Sequence, residues 1–235
     1  MEGVVQNIWN NILEYIFPSF CIQCDREGDI VCIDCLSALG TPGVFCCPSC
    51  HRINLDGSCC IECKNNTSIS RHIAILPMTE TSLIHTIIHL YKYQYVEVLE
   101  RVFEILLQRF VAKYPLPLVD YFIPVPLHRK RFIERGFNQS ERIAQIVSRI
   151  TEIPLLNPLI RTGNTVKQAT LDRKGRIENV KDVFVVRSAV VPLLVGKKVI
   201  IVDDVYTTGS TINECARALL RSGVSEVSGW SVARG

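Results

Sequence analysis

Apolar and polar positions along the chain switch between two periods, and the switches mark its elements. Residues 199–202 (Val-Ile-Ile-Val) form an aliphatic run without polar interruption, the pattern of a parallel strand covered on both faces. Residues 119–125, 181–187 and 224–233 carry further β pattern. Helical spacing of apolar residues predicts helices over 83–91, 96–110 and 140–150, and another through Ile212, Ala216, Leu219 and Leu220. Strands and helices alternate, so the expected fold is α/β. At the start of the chain Ile8, Ile12, Leu13, Ile16 and Phe17 predict an amphipathic helix within 1–20 that docks on the body of the protein. Peripheral attachment to a membrane is the alternative, though a polar face without Lys or Arg suits anionic lipid poorly. The longest apolar run, 189–195, is interrupted by Pro192 and falls far short of the roughly 18–20 residues of a membrane span.

Composition divides the chain in two. Its 235 residues are 48% hydrophobic and 21% charged, as in ordinary globular proteins. Residues 1–70 carry a net charge of −5 and the remainder +8, and ten of the eleven cysteines lie between Cys21 and Cys63. The expected organisation is a helix over 1–20, a cysteine module over 21–70 and a larger domain over 71–235, the last basic enough to favour an anionic partner. Residues 1–25 contain no Lys or Arg, unlike the start of a secretory signal, which predicts a cytoplasmic protein.

The cysteines form four C-x2-C pairs: Cys21 with Cys24, Cys32 with Cys35, Cys47 with Cys50, and Cys60 with Cys63. Two thiolates on one tight turn grip a tetrahedral ion, and a second pair completes the shell, so eight ligands suit two structural Zn²⁺ ions. Disulfides are the competing reading, disfavoured in a reducing compartment. A segment this short cannot bury a self-sufficient core without metal. His51, beside Cys50, is expected to be a bystander. The spacing leaves open whether the pairs combine consecutively or interleave.

After 199–202 come Asp203 and Asp204, then Val-Tyr-Thr-Thr-Gly-Ser-Thr211 and a helical pattern. Carboxylates at the carboxyl end of a central strand lie where ligands bind in open α/β sheets. A small-residue loop entering a helix presents backbone N–H groups and the positive helix end to a phosphate, while the acidic pair suits a sugar diol. Thr211 and Glu214 read as a capping box at the helix start. There is no G-x-x-x-x-G-K-[ST] and no G-x-G, which excludes the P-loop and dinucleotide fingerprints.

The string from Asp203 to Thr211 resembles the phosphoribosyl pyrophosphate (PRPP) motif of type I phosphoribosyltransferases. Together with the cysteine pairs, the segment 17–24 (Phe-Pro-Ser-Phe-Cys-Ile-Gln-Cys), residues 125–131 (Val-Pro-Leu-His-Arg-Lys-Arg) and residues 134–139 (Glu-Arg-Gly-Phe-Asn-Gln), it resembles the ComF family of competence proteins and their gluconate-utilisation relatives over essentially the whole chain. The resemblance implies a type I phosphoribosyltransferase-like parallel sheet with helices on both faces, preceded by a small zinc-ribbon module. It gives Asp203 and Asp204 to the ribose hydroxyls, and Thr207, Thr208, Gly209, Ser210 and Thr211 to the 5′-phosphate. It gives the loop after Pro126 to the pyrophosphate, where His128, Arg129, Lys130 and Arg131 form a cation cluster suited to a diphosphate. Mg²⁺ would arrive with PRPP. Gln168, Leu171, Arg173, Arg176 and Asn179 resemble the mobile segment that folds over the ligand as a lid, although a plain surface loop fits the same polar stretch. The sequence departs from the family in having Asp25 and His51 where glycine commonly follows a knuckle's second cysteine, and Tyr206 where an aliphatic residue is usual. The Tyr206 ring either stacks on a base or covers the sheet edge.

Two classes of function follow. The resemblance implies a PRPP-binding protein acting in natural competence, in uptake or handling of single-stranded DNA and with partners among the competence machinery. The alternative is an active phosphoribosyltransferase whose acceptor base no motif identifies. The basic half of the chain, with Tyr91, Tyr93, Tyr95, Phe132 and Phe137 as stacking candidates, is the expected DNA surface.

Overall fold

The structure is a computed structural model that describes residues 19–94, 98–162 and 183–235. The N-terminal helix reading over 1–20 and the lid reading, with Gln168, Arg173 and Arg176, lie outside the described residues but for positions 19 and 20. The chain divides into two compact units, Met1–Gly40 and Thr41–Gly235.

In the first unit a turn at Cys21–Cys24 leads to helix α1 (Ile33–Leu39), which Gly40 ends at a φ of 60°. The first two cysteine pairs lie here and the other two in the second unit. There the strand β1 (Val44–Phe45) runs antiparallel to β2 (Arg71–Pro77).

The second unit is built on a five-stranded sheet in the order β1-β2-β7-β6-β3, with β3 spanning Tyr121–Pro124, β6 Lys198–Tyr206 and β7 Glu226–Arg234. All pairings except β1 with β2 are parallel. The aliphatic run is the centre of β6, hydrogen-bonded on both sides. It packs both ways because side chains alternate across a strand. Val199 and Ile201 join Ile212, Ala216 and Leu219 of helix α7 (Ser210–Arg221) in one core cluster. On β7, Trp230 meets Phe122 and Phe110, the latter on helix α3 (Leu99–Lys113). Helix α2 (Leu83–Gln94) adds Tyr91, whose ring lies edge-on to Phe103 and whose hydroxyl donates to Glu100. Helix α5 (Gln139–Thr151) packs along β3 and β6, and the short helix α6 (Val191–Leu194) precedes β6. The fold is thus α/β with a parallel-rich sheet, as expected.

Three expectations change. The strand predicted over 199–202 continues to Tyr206, so Asp203 and Asp204 lie inside the hydrogen-bonded ladder, Asp203 opposite Ser231, rather than beyond its end. The following helix begins at Ser210 with Gly209 at its N-cap in the left-handed region, two residues before Thr211, the N-cap of the expected capping box. Glu214 is buried and ion-paired with Arg217 at 3.1 Å. The β pattern at 181–187 yields only β5 (Phe184–Val186), which lies outside the main sheet and pairs antiparallel with β4 (Leu159–Arg161).

Candidate functional site

The carboxyl ends of β3 and β6 open onto a cavity of about 460 Å³. Asp203, Asp204 and the whole 207–211 loop line it, so the two groups read as diol and phosphate binders share one pocket. His128 and Arg131 line the same cavity. The basic tetrad was read as a loop, but Arg129 opens a short helix α4 (Arg129–Arg135), for which His128 is the N-cap, its Nδ1 accepting from the Lys130 amide at 3.2 Å. The helical turn separates the four: Arg129 borders a smaller neighbouring cavity of about 310 Å³, and Lys130 is exposed and lines neither.

The carboxylates are held differently. Asp203 accepts from the Ser140 hydroxyl at 2.8 Å and from the Asp204 amide at 2.9 Å. Burial, then the charge of Asp204, push its carboxyl up to about 7, against donation from Ser140 and the charge of Lys92. Asp204 is buried and ion-paired with Lys92 Nζ at 2.8 Å. Ser140 is in place because Asn138 caps α5: its Oδ1 accepts from the Ser140 amide and its Nδ2 donates to the Val125 carbonyl at 3.0 Å, pinning the helix start to the end of β3.

In the loop, the hydroxyls of Thr208 and Ser210 share a hydrogen bond of 2.8 Å at the first turn of α7. The first amides of a helix have no partner within it; in α7 the Ser210 amide donates to the Thr208 hydroxyl at 3.4 Å, and residues 207–211 line the cavity. Tyr206 neither stacks over the cavity as an exposed ring nor covers the sheet edge in solvent. It is 1% exposed and donates its hydroxyl to the Pro48 carbonyl at 2.7 Å.

Sequence reasoning missed Lys92, Ser140, Arg135 and Arg161, all of which line the cavity. Arg135 had a signal, since it lies one helical turn from Arg131. So did Ser140, which follows the quoted 134–139 motif directly. Lys92 borders the apolar stripe of α2, and Arg161 comes from β4. Among the stacking candidates, Tyr91 and Phe137 are core residues, Tyr93 and Phe132 are 59% and 47% exposed, and Tyr95 lies outside the described residues.

The cysteine pairs combine consecutively. Cys21, Cys24, Cys32 and Cys35 bring their sulfurs within 4.8 Å of one another, as do Cys47, Cys50, Cys60 and Cys63. Contacts run between the pairs, at 3.6 Å for Cys24 with Cys32 and 3.7 Å for Cys50 with Cys60. A tetrahedron of sulfurs at the Zn–S distance has an edge of about 3.8 Å, whereas a disulfide needs about 2.05 Å. The donor set therefore fits a zinc ion in each cluster. His51 belongs to neither. The knuckle turns close with amide-to-carbonyl bonds, Asp25 to Cys21 at 2.9 Å and His51 to Cys47 at 3.1 Å. Asp25 and His51 adopt φ of 56° and 65°, so the residues replacing glycine take glycine's conformation and the knuckles stay regular. Burial would raise the Cys21 and Cys47 thiols, but backbone N–H donors around each hold them down at about 6, favouring the thiolate a cation needs.

Residues 143–233 match the phosphoribosyl transferase domain family. Competence protein F of Haemophilus influenzae is 40% identical over 126 residues, 51% of this chain and 52% of that protein. The DNA utilization protein YhgH of Escherichia coli K12 is 38% identical over 120 residues, 51% of each. The chain thus spans about half the length of these relatives. Competence protein ComFC of Streptococcus pneumoniae is 29% identical over 213 residues, 89% of this chain and 90% of that protein. The match to the phosphoribosyl transferase domain, the two four-cysteine clusters and the similarity to these competence and DNA utilization proteins together fit a ComF-type protein.

Proposed function

We propose that the protein binds PRPP with Mg²⁺ in the cavity beside β6 and serves natural competence in the cytoplasm, in the uptake or handling of single-stranded DNA. The observation that carries the reading is the shared cavity: an acidic pair for a diol and a helix N-terminus for a phosphate, faced by His128, Arg131 and Arg135. Thr207 through Thr211 hold the 5′-phosphate, Asp203 and Asp204 the ribose hydroxyls, and the cations the pyrophosphate. Mg²⁺, brought by the diphosphate, would offset charge that the protein's own cations leave unbalanced. Structural zinc in each cysteine cluster stabilises the knuckles.

Calorimetry of PRPP with Mg²⁺ tests this, comparing the wild type with the Asp203→Asn, Asp204→Asn double variant. Binding that the variant loses supports the reading. Absence of binding by the folded, metal-loaded wild type overturns it. Metal analysis should find two zinc ions per chain.

The DNA part rests on the basic half of the chain and on the exposed Arg129, Lys130 and Phe132 along α4, with Tyr93 beneath Arg135 at 5.0 Å. Affinity for single-stranded DNA that falls steeply with salt supports it, and salt-indifferent binding sinks it. Catalysis is favoured by one feature, the smaller cavity that shares Arg161 with the main one and has Phe132 and Arg187 at its wall, where an acceptor would sit. Pyrophosphate release from PRPP on addition of a base or nucleotide acceptor decides it.

A further inference from the structure

The carbonyl that receives the Tyr206 hydroxyl belongs to Pro48, inside the Cys47-Pro-Ser-Cys50 knuckle, and the bond is 2.7 Å long. On its other side the same hydroxyl touches the phosphate loop so closely that a Cβ on Gly209 would lie 2.0 Å from it. Gly209, at a φ of 74°, is thus fixed by conformation and by contact. One buried oxygen therefore links a cysteine knuckle to the loop that enters α7.

The ring itself is clamped. It stacks on His72 at 3.7 Å between centroids, and the Arg234 guanidinium lies over it at 4.7 Å. Arg234 is 7% exposed, and its NH1 meets His72 Nδ1 at 3.2 Å. Its NH2 has no hydrogen-bond partner among the described residues, and no carboxylate pairs with it there. Arg234 acts electrostatically on Cys46, the neighbour of the cluster ligand Cys47, and a metal held by four thiolates carries a net negative charge that offsets this buried cation.

We infer that Tyr206 is a positioning residue through which metal occupancy of the cluster Cys47, Cys50, Cys60 and Cys63 orders the 207–211 loop and raises its affinity for a phosphorylated sugar. The affinity half rests on the PRPP reading above; the loop-order half does not. If the knuckle loosens, the Pro48 carbonyl moves, the hydroxyl loses its acceptor, and the ring no longer fixes the turn at Gly209. Coupling between two sites is reciprocal, so a ligand in the loop must also raise the cluster's affinity for its metal.

The full-length protein tests this by amide hydrogen exchange across 207–212, in metal-loaded and chelator-treated wild type and Tyr206→Phe. Chelation should speed exchange in the wild-type loop about tenfold or more. Metal-loaded Tyr206→Phe should already exchange at the faster rate, with chelation adding little. With PRPP and Mg²⁺, the wild type should give up less zinc at equilibrium to a competing colorimetric chelator, and the Phe variant should show no such change. If chelation unfolds the whole unit, β7 exchanges too, and the metal-loaded Phe variant decides alone through its local effect. A native loop rate in that variant, or an equal chelation response in both proteins, overturns the inference. Failure of the wild type to bind PRPP overturns the PRPP reading and leaves the exchange result decisive for the coupling.

Discussion

Lys92 Nζ stands 2.8 Å from Asp204 Oδ2, so the carboxylate proposed to receive a ribose hydroxyl is already engaged by a cation on a separate helix. The pair is largely buried, with side-chain exposures of 21% and 7%. Removing one member leaves the other charge without compensation. Lys92→Met should destabilise the protein by about 3 kcal/mol, measured by urea unfolding. The Lys92→Met, Asp204→Asn double variant should recover much of that loss, and a double variant as weak as the single one would show that the two residues are not coupled.

Asp203, held up at about 7 by burial and by the neighbouring Asp204, makes stability and ligand binding run oppositely with pH. The folded state keeps a proton that the unfolded chain releases near pH 4, so stability falls as pH rises from about 4 to 7 and is level above. A diol donates its hydroxyl protons to an ionised carboxylate, so PRPP affinity should climb between pH 6 and 8. Asp203→Asn should flatten the stability slope over that window. Denaturant midpoints measured across pH 4–8 check the first trend, and calorimetry checks the second.

At the first knuckle, Asp25 holds a left-handed φ of 56°, which costs an L-residue about 1 kcal/mol that glycine avoids. Asp25→Gly should stabilise the zinc-loaded protein by about 0.5–1 kcal/mol. Protection of the Cys21–Cys35 cluster against chelator should rise accordingly, and a loss of protection would show that the Asp25 side chain contributes more than its backbone costs.

Gly209→Ala forces a methyl into the Tyr206 hydroxyl at a backbone angle glycine alone adopts freely. Displacing a clamped, buried ring should cost about 2–3 kcal/mol of stability and weaken PRPP binding about a hundredfold. Thermal unfolding and calorimetry read the two effects, and native affinity in the Ala variant would mean that the loop does not contact the phosphate.

The legible parts of this protein are those whose physics is local. The run at 199–202 announces a central strand because both faces must be apolar, and the small residues after it announce a tight loop entering a helix, which the structure places on the cavity wall. The cysteine pairs announce four-sulfur clusters of metal-ligand geometry for the same local reason. The pairing of knuckles was not legible, since C-x2-C spacing defines each half of a site but not its mate, and only the contacts of Cys24 with Cys32 and Cys50 with Cys60 settle it. The split of the basic tetrad escaped because four consecutive residues spread around a helix, taking Lys130 away from the cavity and bringing Arg135 to it. Lys92 and Arg161 reach the site through tertiary packing, which leaves no periodic trace. Tyr206 carried a correct oddity, an aromatic ring where an aliphatic residue is usual, but its acceptor at Pro48 lies 158 positions away.

The two-residue strand Val44–Phe45 carries one more consequence. It borders β2 through Ala74 and Ile73, so without it β2 would be the outer strand of the sheet, with Ile73, Ile75 and Leu76 along a bare ladder. Strand β1 immediately precedes Cys46 and Cys47 and has little length of its own to keep it docked. Stripping the metal from that cluster therefore does more than loosen a turn: it uncovers an apolar pairing edge, and a chelated sample is expected to form intermolecular β aggregates before it unfolds.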